Sequence, residues 1–414
     1  MAKDPIGDTL ESVVNEGALA GAVTLAWQGG RVMQTSCAGW RDVEARIPMQ
    51  RDTLFRIASM SKPITSTAAL QLFEEGRFAL DDPIDRWAPE FAAVRVLKTP
   101  DGALNDTVPA TRPISFADLL THRSGITHRD SGFGPISTAY NEALGGAIDS
   151  RVSPDEWIAR LAALPLIDQP GHTLHYGHST DLLGFLIARI EDAPLGDVLQ
   201  RRIFSRLGMK DTGFVVPTAK KNRRAGLYGF DEAGRLEKRL TCPGGSTVAE
   251  RPEDMTFVSG GQGLWSTADD YLAFARMFVG RGTVDGVQVL RPETLALMTR
   301  NSLTAEQRAS GEVVRMKMFA RRHGFGMGVA VMMESGGPPS LPCGGPVGAV
   351  GWPGAFGGWW RADAASGSVL VFLAHNLLKL EQFAAGIGLG VYGAIEKFQE
   401  LAASLQQQPR SVES

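Results

Sequence analysis

The chain has 414 residues, 43% hydrophobic and 21% charged, with 42 basic against 45 acidic side chains and a formal charge of −3. That length suits one large domain or two interleaved ones, and the composition is that of an ordinary globular chain rather than a disordered one. A near-balanced charge with no basic run lacks the electrostatic footprint of a nucleic-acid binder.

Ile6, Leu10, Val13, Val14 and Leu19 recur at helical spacing and predict an opening amphipathic helix. Ala20 to Trp27 reads as a strand, Gln28-Gly29-Gly30 as a turn, and Arg31 to Ala38 as the returning strand. Thr53 to Ile57 reads as a third, short strand. Ser59 to Glu75 then reads as an apolar helix closed by Gly76, with Pro63 in the first turn, where its missing N–H costs little. From Asp81 to about Glu250, prolines recur between short helical stretches such as Phe116 to Thr121, Pro154 to Leu164 and Thr180 to Asp192. Strand texture returns at Gly324 to Met333, Ala355 to Arg361 and Ser368 to His375, and a final helix is predicted from Glu381 to Gln406. Strands and helices at both ends with helices between predict one α/β domain built from residues 1–80 and 251–414. It carries a mainly helical domain inserted at 81–250.

Three cysteines, Cys37, Cys242 and Cys343, lie far apart with no metal-knuckle or redox-motif spacing. Neither a metal nor a cofactor is expected, and such sparse thiols suit a reducing compartment. The first residues carry charge where a secretory signal needs an apolar stretch, and the most apolar segment, Ala384 to Ile395, is too short to span a bilayer. The expectation is a cytoplasmic protein that binds no membrane.

No serine stands in a G-x-S-x-G frame, so the usual esterase nucleophile elbow is absent. Ser59-Met60-Ser61-Lys62 occurs instead, where a strand gives way to a helix. Residues i and i+3 share a helix face, so Ser59 Oγ and Lys62 Nζ are expected side by side near free first-turn N–H groups. Read alone, the same tetrapeptide fits a helix cap followed by a solvated lysine. A lysine is a base only when neutral, and no carboxylate occurs between Asp52 and Glu74 to hold this one charged. Tyr176, one of five tyrosines, lies in the loop Leu174-His175-Tyr176-Gly177-His178-Ser179 just before a helix. A phenol beside a lysine can relay a proton. Gly351-Trp352-Pro353-Gly354-Ala355 is a third candidate: its small residues allow close backbone approach to a ligand, and Trp352 is expected to line the acyl or alcohol pocket.

Together these segments resemble the serine β-lactamase and penicillin-binding-protein superfamily of S-x-x-K acyl-transfer enzymes, and within it the family VIII carboxylesterases. Leu54 to Pro63 is similar to the family's entry into the nucleophile helix. Leu119-Leu120-Thr121-His122-Arg123-Ser124-Gly125 resembles its L-L-T-H-x-S-G stretch, and Leu207-Gly208-Met209 its P-L-G-M segment. Ser259-Gly260-Gly261 with Ser266 to Asp270 resembles the segment before its next helix.

The resemblance implies an antiparallel sheet flanked by helices with the inserted helical domain. It implies Ser59 as nucleophile, and Lys62 with Tyr176 as the shared acid and base, without deciding which takes the proton. The N–H groups of Ser59 and Ala355 would form the oxyanion hole, with Trp352, Gly354 and His178 in substrate binding. Trp352-Pro353-Gly354 stands where β-lactamases carry K-T-G, and His178 where they carry an asparagine, which turns the expectation toward small-molecule esters. β-Lactamase, D-amino-acid amidase, transesterase and covalent ligand sensor stand as alternatives, and a homo-oligomer is compatible with all of them.

Overall fold

The computed structural model describes residues 4–128, 134–145, 148–239, 256–313, 317, 319, 322–336, 343–377, 382 and 385–406. Its centre is an eight-stranded antiparallel sheet. The strands are β1 (Gly21–Gln28), β2 (Arg31–Asp42), β3 (Ile47–Pro48), β4 (His323–Phe325), β5 (Ala330–Met332), β6 (Val350–Gly351), β7 (Trp359–Asp363) and β8 (Ser368–Ala374), in the spatial order β4-β5-β6-β7-β8-β1-β2-β3. The amino- and carboxy-terminal halves meet at the β1–β8 pair, where Ala22 opposes Ala374 and Gln28 opposes Ser368.

Side-chain alternation on these strands separates two cores. Ala22, Ala26, Leu370, Phe372 and Trp359 face one way, against Ile6, Leu10 and Val13 of helix α1 (Pro5–Asn15) and against Val391, Ile395 and Phe398 of the last helix, Gly390–Gln406. Val23, Leu25, Val369, Val371, Leu373 and Trp360 face the other way, into the large core shared with helix Ala268–Val279 and with helix α2 (Ser61–Glu74). Coverage of both faces explains why every residue of β8 is buried and why its sequence runs apolar without alternation.

Several expectations need correction. The stretch 324–333 forms two short strands rather than one, because Gly328 turns the chain at φ +87° and sits where a Cβ would lie 2.3 Å from Ser66 Oγ of α2. Residues 355–357 form a turn and the strand begins only at Trp359. The expected third strand shrinks to Phe55–Arg56 and pairs outside the main sheet, with Trp265–Ser266. Within the segment 81–250, helices Phe116–Leu120, Pro154–Ala162 and Ser179–Glu191 stand where Phe116 to Thr121, Pro154 to Leu164 and Thr180 to Asp192 are expected. Phe230, from the same segment, packs into the core of α1 and the last helix. Cys37 and Cys343 are free thiols, and Cys242 lies outside the described residues. Among the described residues, no helix is long and apolar enough to cross a membrane, and no group of His, Cys, Asp or Glu is arranged to hold a metal ion.

Candidate active site

The turn that carries Ser59 is built from both sides. Phe55–Arg56 is anchored by its strand pairing, Ile57 N–H donates to Leu264 O at 3.0 Å, and the buried Arg56 pairs with the buried Asp149 at 2.9 Å. The chain then passes through Ala58 at φ +45°, left-handed and non-glycine, which costs about 1–2 kcal/mol. Ala58 to Met60 form a single 3-10 turn, and Tyr271 Oη donates to Met60 O at 2.9 Å, clamping it before α2 begins at Ser61. Ser59 is thus on the turn ahead of the α-helix rather than within it, and is 7% exposed.

Three expected residues meet there. Lys62 Nζ donates to Ser59 Oγ at 3.3 Å and to Gly261 O at 3.0 Å, and lies 4.6 Å from the centre of the Tyr176 ring. Tyr176 Oη donates to Ser59 Oγ at 2.7 Å. Lys62 is 1% exposed and forms no ion pair among the described residues. Its carbonyl partner belongs to a segment held by Asp181, which accepts from Gly261 N–H at 3.0 Å, from Ser259 Oγ, and from His178 Nδ1 at 2.8 Å. Burial by itself would raise the Asp181 carboxyl. The His178 hydrogen bond, Lys62 and Ser259 outweigh burial and hold the carboxyl below the ordinary carboxylate range.

The Tyr176 loop is set by His122. His175 N–H donates to His122 O at 2.8 Å, the His122 ring lies 4.9 Å from that of Tyr176, and His122 Nε2 pairs with Thr180 Oγ1 at 3.4 Å. Burial, reinforced by the charge of Lys62, pushes the His122 imidazole down to about 3, so the ring is neutral. Neither His122 nor Asp181 stood among the expected site residues. The available signals were His122's place in the L-L-T-H-x-S-G stretch and the i, i+3 spacing of His178 and Asp181.

The substrate-binding expectations are corrected in part. Trp352 is 1% exposed, enclosed by Phe319 and Phe325, and its Nε1–H donates to Tyr176 Oη at 3.4 Å. It stands behind the tyrosine instead of lining an open pocket. His178 is equally enclosed: its ring lies among His128, Tyr140 and Trp157 and holds Asp181. Gly354 N–H is occupied by Gly358 O at 2.7 Å, and a Cβ at Gly354 would lie 2.4 Å from Ile57 O. This glycine lets the segment 354–358 lie directly on the Ser59 turn. Next to it, Ala355 is exposed, and neither its N–H nor that of Ser59 has an acceptor among the described residues.

The Beta-lactamase family matches residues 6–387. Protein Rv1367c of Mycobacterium tuberculosis strain H37Rv is 44% identical over 382 residues, 92% of either chain. Esterase EstB of Burkholderia gladioli is 31% identical over 385 residues, 88% of either chain. Among solved structures, EstCE1, described as a hydrolase with promiscuous acyltransferase activity, superposes with a TM-score of 0.73 at 27% identity, covering 94% of this chain and 97% of its own.

Proposed function

The chain belongs to the Beta-lactamase family, and we propose that within it the protein is a serine esterase of the family VIII kind, hydrolysing short- to medium-chain carboxylic esters. The observation that carries this reading is that Ser59 Oγ accepts from both Tyr176 Oη, at 2.7 Å, and Lys62 Nζ, at 3.3 Å.

In this reading Ser59 Oγ attacks the ester carbonyl carbon while its proton passes to the Lys62–Tyr176 pair. The developing oxyanion takes the N–H groups of Ser59 and Ala355, each worth about 3 kcal/mol in such sites. Collapse breaks the bond to the alcohol oxygen, and the pair returns the proton to the leaving alkoxide. Water then attacks the acyl-enzyme, gives a proton to the pair, and the acid departs as Ser59 Oγ regains one. Trp352 replaces the lysine expected of a β-lactamase in that box. No cation therefore stands in that box for an anionic β-lactam, which supports esters as substrates.

Turnover of 4-nitrophenyl butyrate by the purified protein, abolished in Ser59→Ala, is the expected result. Undiminished turnover in that variant overturns the reading, and nitrocefin hydrolysis outpacing esters would move it to β-lactamase. A second reading, acyl transfer to an alcohol other than water, is favoured by the promiscuous acyltransferase activity ascribed to EstCE1. Product analysis with an added alcohol distinguishes the two. The proposed compartment is the cytoplasm, in keeping with the free thiols of Cys37 and Cys343.

A further inference from the structure

A cavity of about 680 Å³ opens beside the C-terminal half of helix Ser179–Glu191. Phe185, Ala188, Arg189 and Asp192 line it from that helix and its cap, at the spacing of a single helical face. Ile158, Leu195, Phe204, Phe214 and Val258 complete an apolar wall, and the volume lies inside the range of small-molecule sites. At its mouth stands Val215, 58% exposed, the most exposed of the large hydrophobic side chains among the described residues.

The charges at the rim define what can enter. Arg189, the one cation among the described residues that line the cavity, is already held by Glu90 at 2.9 and 3.1 Å and by Asp155 at 2.8 Å. Asp192 also lines the rim, and its carboxylate has no partner among the described residues. Among the described residues the rim is therefore net negative: it offers an anion no free cation and repels it, while the interior favours apolar surface. The cavity is also separate from Ser59. Leu195 packs on Gly260, and Val258 precedes the segment whose Gly261 O holds Lys62, so its inner wall is the far side of that segment.

We propose that this cavity is a second binding site, distinct from the catalytic one, for an uncharged apolar small molecule of the ester or alcohol class. A carboxylic acid of the same size is excluded by the rim.

The test titrates two fluorescent probes onto the full-length protein: uncharged N-phenyl-1-naphthylamine and anionic 8-anilino-1-naphthalenesulfonate. Saturable binding of the uncharged probe is expected, about tenfold tighter than that of the anionic one. Ala193→Trp fills the cavity, and Val215→Glu, at an exposed position, adds a charge to the mouth. Each is expected to weaken the uncharged probe by about tenfold, or 1.4 kcal/mol, with ester turnover and melting temperature kept. If Ala193→Trp fails to fold, Val215→Glu decides alone. No saturable binding, preference for the anionic probe, or unchanged binding in the folded variants overturns the proposal.

Discussion

The indole N–H of Trp352 donates to the phenol oxygen of Tyr176 at 3.4 Å, from a ring that is 1% exposed. Trp352 thus acts on the oxygen that reaches Ser59 rather than on anything bound beside it. Trp352→Phe keeps the ring and deletes the donor. A hydrogen bond of about 1 kcal/mol predicts a kcat about fivefold lower with KM nearly unchanged. A raised KM at constant kcat would instead return Trp352 to the pocket wall.

Lys62 and Tyr176 converge on one oxygen, so their contributions overlap. Lys62→Met and Tyr176→Phe are each expected to lower kcat/KM for 4-nitrophenyl butyrate by about a thousandfold or more. The double variant should be scarcely worse than either single one. Multiplying losses in the double variant would mean that the two groups act in separate steps.

Gly354→Ala tests the contact between the segment 354–358 and the Ser59 turn. A Cβ only 2.4 Å from Ile57 O forces backbone apart, at a cost of about 1–3 kcal/mol. The expected outcome is a lower melting temperature together with a loss of kcat greater than the loss of folded protein explains.

Three buried histidines make stability fall in acid. Burial pushes His122 down to about 3 and His323 and His375 down to about 4, each also lowered by a neighbouring cation. Between those values and the ordinary histidine pKa the unfolded chain binds more protons, so stability is full above about pH 6.5 and is lost as pH falls toward the folded values. Each histidine contributes up to about 1.4 kcal/mol per pH unit. Urea midpoints measured at pH 7 and pH 5 should fall in acid, and less so in His375→Gln.

Ser59 and Lys62 were legible because two residues three apart on a helical turn must be neighbours whatever surrounds them. Two strands, Gly21–Gln28 and Ser368–Ala374, were legible from local apolar runs, and their β-branched and aromatic content favours strand. The split at Gly328 was not, because its cause is Ser66 on a distant helix.

Residue types and short spacings therefore determined the Ser59–Lys62 pairing and named Tyr176 through family resemblance. Only the tertiary structure decided that Tyr176 and Lys62 share one acceptor, that Trp352 stands behind the tyrosine, and that His178 turns inward to Asp181. The reason is range. Backbone geometry imposes contacts within one helical turn, while the direction in which a loop side chain is buried depends on the packing of segments remote in the chain.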